Sequence, residues 1–318
     1  MLIPDLKIPC GIAIPQVFTS DPLDLQLIRT FVKQAEDIGY ESLWVQEKII
    51  GEADSLEPIN LLSYVSAISQ KIKLGTAVII ATTRNPILLA KELSTLDCLS
   101  EGRLIVGIAL GGRPDTYSIL GGPFEKRVRH FNEFIDILKV LWTEQDANFN
   151  GEFWEFKNLS MRPRPLQKPN LPLWFGGRHP AALKRAVLYG DGWMGAGSTS
   201  TTQFKGHVDI IKSQLNDSET RHKQFSISKR IYIAIDENED RARSRLRKWF
   251  NIHYGNADLS DKVSIWGSLE KCKQGVQQVV DAGAQMLMFN PVFDHMYHLE
   301  KISQELIPDL DQPRKLEQ

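Results

Sequence analysis

The chain has 318 residues, and its 38 lysines and arginines against 39 aspartates and glutamates give a formal net charge of -1. Charges of both signs are interspersed, so there is no electrostatic footprint for nucleic acid or for an anionic membrane surface. The three cysteines are scattered without metal-ligand spacing, which favours a reducing compartment without disulfides. No apolar run is long enough to span a bilayer, and the N-terminus lacks an export signal. We therefore expect a cytoplasmic protein whose ligand is a small molecule.

Short apolar segments alternate with amphipathic helices along most of the chain. We predict eight strands, in the segments IPCGIAI, SLWV, IKLGTAVII, RLIVGIAL, LWFGG, DGWMGAG, SISKRIYIAID and MLMFN. The first helix should end at Gly39, and the third should have Asn85 as its cap and Pro86 in its first turn. The alternation favours an α/β fold, a closed (β/α)8 TIM barrel in one domain over residues 1–310, with a loose tail at 311–318. An open doubly wound sheet is the alternative, because periodicity does not report closure.

Two segments interrupt the alternation. Residues 144–172, after the fourth helix, are too long for a simple connection and carry Asn150-Gly151 between aromatic-rich arms, which predicts a β-hairpin. Residues 251–266 include a polar break before the last helix–strand unit. We expect both insertions to act as lids or specificity elements.

Candidate functional residues follow several strands, because reactive groups of such barrels gather at the carboxyl ends of the strands. Glu47 and Lys48 follow the second strand, where a partly desolvated pair of charges suits proton transfer or contact with a polar ring. An ion pair that only closes the strand is the alternative. The apolar segment 75–86 could press against a flat ring, but a buried central strand followed by a capped helix is the favoured interpretation of this segment alone. Gly111 and Gly112 allow close backbone approach to a ligand, or form a simple turn.

The most specific signal is the turn after the fifth strand. Gly176 and Gly177 end that strand, Arg178 and His179 follow, and Pro180 begins a helix. Free backbone N–H groups and the helix dipole converge there beside an arginine, which predicts a phosphate-binding turn. A turn required by geometry alone is the alternative.

The sequence gives no indication of a metal site. His295 and His298 lie one helical turn apart, but no carboxylate or thiolate completes a ligand set. We expect both to be exposed helix residues.

The motifs, taken in order, resemble a known family. GYESLWVQEKII, the stretch from IKLGTAVIIATTRNP to RLIVGIALGG, FNGEFWEF and LWFGGRHPAALKRAVLYGDGW resemble the bacterial luciferase-like flavin-dependent oxidoreductases, which include FMN monooxygenases and F420 (deazaflavin) dehydrogenases. The resemblance runs from about residue 8 to residue 195 and continues weakly to residue 305. It implies a (β/α)8 barrel, usually dimeric, with the flavin or deazaflavin ring in its mouth.

The resemblance also implies roles for individual residues. The segment with Ala77, Val78 and Ile80 would lie behind the ring and carry a non-prolyl cis peptide bond near Ala77-Val78. By the same resemblance a cofactor loop is formed by Gly111 and Gly112, and the cofactor phosphate is held by Gly176, Gly177, Arg178 and His179.

Glu47 and Lys48 occupy the position where many relatives carry an acidic residue followed by a histidine that faces the ring. Here lysine replaces the histidine, and lysine is not a base at neutral pH unless its pKa is lowered. A mechanism in which this histidine acts as the base therefore does not apply to this protein. Lys48 could instead neutralise an anionic reduced ring or orient a substrate.

The resemblance implies a homodimeric oxidoreductase that uses reduced FMN, supplied by a separate flavin reductase, on a small organic substrate. An F420-dependent dehydrogenase of the same family is the first alternative, and a flavin-binding protein without turnover is the second. A barrel hydrolase or lyase would need a second acid or base beside Glu47. A bare interaction scaffold would bind no cofactor.

Overall fold

The structure is a computed structural model that describes residues 8–19, 22–111, 114–217, 220 and 224–311. Its strands are, in chain order, β1 (Cys10–Ala13), β2 (Val17–Phe18), β3 (Ser42–Val45), β4 (Asp54–Ser55), β5 (Lys73–Thr76), β6 (Ile79–Ile80), β7 (Leu104–Ala109), β8 (Ala147–Asn150), β9 (Glu155–Leu159), β10 (Leu173–Gly176), β11 (Gly192–Gly195), β12 (Ser226–Ile235), β13 (Ile265–Gly267) and β14 (Met286–Asn290).

Helices connect most of these strands. They are α1 (Leu25–Ile38), α2 (Pro58–Ile68), α3 (Pro86–Leu99), α4 (Pro114–Leu120), α5 (Arg127–Thr143), α6 (Pro180–Tyr189), α7 (Thr201–Leu215), α8 (Glu239–Tyr254), α9 (Asp258–Val263), α10 (Leu269–Asp281) and α11 (His295–Lys301). A short 3₁₀ turn, Ala81–Thr83, follows β6, and a π turn and a 3₁₀ turn extend α11 to Asp309.

Eight strands close into a parallel barrel. They pair in the order β1, β3, β5, β7, β10, β11, β12 and β14, and β14 pairs back to β1. The predicted (β/α)8 barrel is confirmed, and the open doubly wound sheet is excluded by the closing pair. Strands such as β14 are buried along their whole length, as expected when helices cover one face and the barrel interior covers the other.

The barrel interior is filled by large side chains. Trp44 and Trp174 lie with ring centroids 5.5 Å apart, and Met194, Met286 and Met288 belong to the same cluster. Glycines on neighbouring strands make room for these rings. Since the interior is packed, a ligand has access only to the mouth of the barrel.

The predicted helix ends are confirmed where the sequence carried specific signals. Asn85 accepts hydrogen bonds from the N–H groups of Ile87 and Leu88, at 2.9 and 3.1 Å, and Pro86 occupies the first turn of α3. Gly39 ends α1 with a φ of 100°, a left-handed conformation that glycine adopts without strain.

The hairpin predicted in 144–172 is present as the antiparallel pair β8–β9, but its turn is shifted. Gly151 N–H donates to the Trp154 carbonyl at 2.9 Å, so Glu152 and Phe153 occupy the centre of the turn. The Asn150-Gly151 pair therefore correctly indicated a hairpin, but the turn lies two residues further along the chain. The carboxylate of Glu133 on α5 accepts from the N–H groups of residues 152–154 and holds the turn there.

The second insertion, 251–266, contains the end of α8, the short helix α9 and the first residues of β13, which pairs with β12. Of the predicted tail, only Asp311 lies within the described residues. Over that described part of the chain, no helix is both long and apolar enough to cross a membrane.

The prediction that His295 and His298 are exposed is wrong for both. Only 1% of the surface of His298 is exposed, and its Nε2 atom accepts a hydrogen bond from Ile235 N–H at 3.0 Å. His295 is half-buried. The helical periodicity of α11 could not reveal that β12 ends against this face.

Candidate functional site

A cavity of about 260 Å³, which we call the mouth cavity, lies at the carboxyl ends of the barrel strands. Its walls come from the ends of β3, β6, β7, β10 and β11, from β12, and from the end of α8. Seven of the predicted site residues line it: Glu47, Ala77, Val78, Ile80, Gly111, Gly176 and Gly177. The three that do not are Lys48, Arg178 and His179. Gly112 lies outside the described residues.

The glycines of this cavity allow three strand ends to approach closely. A Cβ atom at Gly176 would lie 3.0 Å from a methyl of Val78 and 3.2 Å from Ala109 Cβ. Gly111 has a φ of 76°, and a Cβ there would lie 2.7 Å from a methyl of Ile80. Larger residues at either position would therefore displace the wall that faces the cavity.

The peptide bond between Ala77 and Val78 is cis, as predicted. It separates β5 from β6, so the third barrel strand is interrupted where a continuous apolar segment was expected. The Ala77 carbonyl accepts a hydrogen bond from Arg230 Nη1 at 3.2 Å.

Glu47 is bound on both carboxylate oxygens by groups of the protein. Its side chain is 0% exposed, its Oε1 atom accepts from Arg84 Nε at 2.9 Å, and its Oε2 atom accepts from Ile80 N–H. Arg84 also pairs with Glu57 at 3.0 Å. Burial raises the pKa of Glu47, against the attraction of Arg84. This arrangement corresponds to the ion pair that closes the strand.

Lys48 contacts the second insertion, residues 251–266. Its Nζ atom donates to the carbonyl of His253 near the end of α8. Lys48 thus connects the loop after β3 to the segment that forms one wall of the mouth cavity.

His179, the residue before α6, accepts hydrogen bonds from amides in the first turn of that helix. His179 Nδ1 accepts from Ala181 N–H at 3.2 Å, and the His179 carbonyl accepts from Ala182 N–H at 2.8 Å. The exposed Arg178 places a positive charge beside this turn. Burial, with smaller contributions from the charges of Lys229 and Arg178, lowers the pKa of His207.

Sequence reasoning missed Arg230, which projects from β12 into the mouth cavity. Arg230 is 7% exposed, and its Nη2 atom donates to Gln46 Oε1 and to the Tyr232 hydroxyl. Its Nε atom is buried without a hydrogen-bond partner, and it forms no ion pair with any described residue. A buried cation without a counter-ion is costly unless a ligand supplies one.

A signal for Arg230 was present in the sequence. Lys229 and Arg230 are consecutive cations inside the apolar run of β12, and successive strand residues face opposite sides. Lys229 faces away from the barrel interior and donates to Ala196 O, and to Thr199 O and Oγ1 at 2.8 and 3.0 Å. Burial lowers the pKa of Lys229 to about 7. Lys229 therefore supports the loop whose Ala196 lines the cavity.

The end of α8 supplies two further cavity residues, His253 and Tyr254. The Tyr254 hydroxyl lies 2.6 Å from the Tyr232 hydroxyl. The His253 ring stacks on Trp249 at 4.4 Å, and its Nδ1 atom is buried without a partner. Burial, with the charges of Lys48 and Arg230, lowers the pKa of His253 to about 3, so the imidazole is neutral at pH 7.

The two insertions differ in their relation to the site. Two residues of 251–266 line the mouth cavity, whereas its described lining includes none of 144–172. The expectation that both serve as lids or specificity elements thus has structural support for the second insertion only.

A family model described as luciferase-like monooxygenase matches residues 10–260. The chain belongs to this family. The predicted family and fold are therefore confirmed. An FMNH2-dependent dimethylsulfone monooxygenase of Pseudomonas putida is 26% identical over 242 residues, and this alignment covers 74% of the present chain and 65% of that enzyme. An F420-dependent glucose-6-phosphate dehydrogenase of Kineococcus radiotolerans is 26% identical over 311 residues, covering 87% of this chain and 91% of that enzyme.

Solved structures agree with the fold. An F420-dependent secondary alcohol dehydrogenase superposes with a TM-score of 0.83 at 18% identity, covering 96% of this chain and 100% of that one. At this level of identity the similarity supports the architecture of this luciferase-like protein and not its substrate.

Proposed function

We propose that this protein is an oxidoreductase of the luciferase-like type that uses reduced FMN to act on a small organic substrate, with monooxygenation as the reaction type. The observation that carries the proposal is Arg230, a buried cation in the mouth cavity without a counter-ion among the described residues. A guanidinium at this position would stabilise the anionic form of a reduced flavin. Family membership supports the class of reaction.

The residues of the mouth cavity fit the cofactor. Ala77 and Val78 offer an apolar wall for a flat ring, and Gly111 and Gly176 keep space for it. Arg230 offers its free Nε–H to an acceptor on the ring. The ring, when bound, supplies the electrons of the reaction, while the protein positions it and excludes water.

The phosphate is proposed to bind beside Gly177 and Arg178. The first amides of α6 are already bound by His179, so the donors left for the phosphate are the Arg178 guanidinium and the backbone of the glycine turn. The positive charge of the exposed Arg178 favours an anion here.

We assign Glu47 and Lys48 positioning roles. Glu47 holds Ile80 in place at the cavity wall and pairs with Arg84 behind it, and Lys48 holds the end of α8. Gln46, Ser198, neutral His253 and Tyr254 are further polar residues of the mouth cavity, and the Tyr254 hydroxyl lies beside that of Tyr232.

Deazaflavin F420 is the second candidate cofactor. It is favoured by the alignment with the F420-dependent glucose-6-phosphate dehydrogenase, which covers 91% of that enzyme. A flavin-binding protein without turnover is the third candidate, because both Glu47 and Lys48 are bound within the protein.

The proposal includes one domain over residues 1–310, a homodimer in the cytoplasm, and a separate flavin reductase as the source of reduced FMN. A relative named as the oxygenase component of a trigonelline monooxygenase supports the separate reductase, since that name implies a second component. The three cysteines are free, as expected in a reducing compartment.

The test is an anaerobic titration with reduced FMN and, separately, with reduced F420, read by fluorescence and by thermal stabilisation. Tight binding of reduced FMN followed by substrate-dependent oxygen consumption supports the main proposal. Binding of F420 with hydride transfer and no oxygen consumption supports the second candidate. If neither cofactor binds, the proposed function is wrong.

A further inference from the structure

A second, larger depression adjoins the mouth cavity. This rim groove, of about 1000 Å³, is formed by residues 17–19, 22–25 and 27, by Arg245, Lys248 and Trp249 of α8, and by residues 292–297 before and within α11. Its lining is mainly apolar, with Phe18, Leu23, Leu25, Trp249, Phe293 and Met296. Leu23 and Leu25 are 40% and 43% exposed, which places apolar surface in contact with solvent.

The rim groove adjoins the mouth cavity across a few shared side chains. A small cavity of about 20 Å³ lies between them and shares Trp249 and His295 with the groove. It shares Gln46 with the mouth cavity. A molecule in the groove is therefore separated from the proposed ring site by little more than these side chains.

Two buried polar atoms lie in the dividing wall. Trp249 is 4% exposed and its Nε1–H has no hydrogen-bond partner, and His295 Nδ1 is also buried without one. An unsatisfied buried donor is costly, and a ligand that carries an acceptor would remove that cost. These atoms distinguish the groove from a plain apolar surface.

The charges around the groove cancel. Arg245 forms a bidentate pair with Asp294, and Asp24 caps α1 by accepting from Leu27 N–H at 2.9 Å. Lys248 is exposed at the edge. Nothing in this balance favours a strongly anionic or cationic ligand.

Volume also favours two separate binding regions. Small-molecule sites usually enclose roughly 300–1000 Å³. The mouth cavity, at about 260 Å³, would be largely occupied by a tricyclic ring. A substrate of any size then needs the adjoining space.

We infer that the rim groove is the substrate site, and that it takes an uncharged, largely apolar molecule whose single hydrogen-bond acceptor reaches the wall at Trp249 and His295. This inference rests on the proposed function, because the substrate must meet a ring in the mouth cavity. The apolar body lies against Phe18, Leu23 and Leu25.

The test uses linear methyl ketones from butanone to 2-decanone as neutral probes, with calorimetric binding to the protein loaded with FMN. Affinity should rise about threefold for each added methylene while the chain fills the groove. Carboxylates of equal length should bind at least about tenfold more weakly, because their charge would be desolvated at the buried wall, while Lys248 lies at the exposed edge of the groove.

A matched pair of variants locates the binding. Leu25→Asp adds a charge in the groove at the first position of α1, where aspartate is well tolerated, and should weaken 2-decanone binding about tenfold without changing FMN affinity. Leu99→Asp, at another exposed leucine outside the groove, should change neither. Trp249→Phe keeps the ring and removes the donor, and should weaken butanone about fivefold.

The possible failures are distinguishable. If FMN does not bind, the proposed function fails, and this inference with it. If FMN binds but ketone affinity does not depend on chain length, or both aspartate variants behave alike, the rim groove is not the substrate site. If Leu25→Asp changes only the coupling to a flavin reductase, the groove is a protein-docking surface and the inference is wrong.

Discussion

Two buried charges face the mouth cavity, and their surroundings are opposite. Glu47, at the end of β3, has both carboxylate oxygens bound by Arg84 and by Ile80 N–H. Arg230, on β12, has no ion pair with a described residue, and its Nε atom lacks a partner. The first charge is matched within the protein, while the second has no counter-ion among the described residues. We therefore expect the lack of a counter-ion to be a better guide to function here than the presence of a charge at a strand end.

Arg230→Met should give the largest effect. Loss of the unpaired buried guanidinium should raise the Kd for reduced FMN about 100-fold, since a buried charged contact of this kind contributes about 2–5 kcal/mol. Anaerobic fluorescence titration measures the change. The unfolding free energy should change by less than about 1 kcal/mol, because removal of a buried cation without a counter-ion offsets the loss of its hydrogen bonds to Ala77 O, Gln46 and Tyr232.

Arg230→Lys is the control. A lysine keeps the charge but loses the planar donor, so its affinity should lie between those of the native protein and Arg230→Met. Equal affinities for all three proteins would show that Arg230 does not contact the cofactor, and the contrast with Glu47 would disappear.

Lys229 extends the comparison to the outer face of β12. Its pKa in the folded protein, about 7, lies below the usual lysine value, so the unfolded chain binds more protons above pH 7. Its contribution to stability is therefore lost as pH falls through about 7 and is gained as pH rises toward 10. We expect a gain of about 1 kcal/mol between pH 7 and pH 8.

Urea unfolding of the native protein and of Lys229→Met across pH 7–9 measures this contribution. The variant should be less stable overall, because Ala196 O and Thr199 O lose their donor, but it should lack the pH-dependent gain. Parallel curves for the two proteins would contradict the assignment.

Lys48→Met should have a smaller effect. It removes the donor to the His253 carbonyl and should lower the unfolding free energy by about 1 kcal/mol. The turnover number should change less than threefold. A drop of tenfold or more that Lys48→Arg restores would instead give Lys48 the role of a charge close to the ring.

Glu47→Gln should change cofactor affinity least, by less than threefold, because its charge is used by Arg84. The same change should lower the unfolding free energy by about 3 kcal/mol, because it removes the carboxylate that pairs with Arg84 at a buried position. A loss of cofactor binding as large as that of Arg230→Met would show that the two charges act as one unit.

Much of the architecture followed from local patterns. Alternating strands and helices predicted the barrel, Asn85 and Gly39 marked helix ends, and the match of ordered motifs predicted both the family and the cis bond at Ala77-Val78. The hairpin was found but its turn was misplaced, because Glu133 on another element sets the turn. His298 was misjudged for a similar reason, since its partner lies on β12.

The sequence by itself thus determined the barrel, its family and the strand ends at which a site forms, since periodicity, caps and ordered motifs are properties of neighbouring residues. Tertiary structure alone decided which charges are compensated. Arg84 reaches Glu47 from 37 positions away, and Arg230 reaches the Ala77 carbonyl from 153. Such encounters depend on barrel closure, because only then do distant strand ends share one low-dielectric cavity.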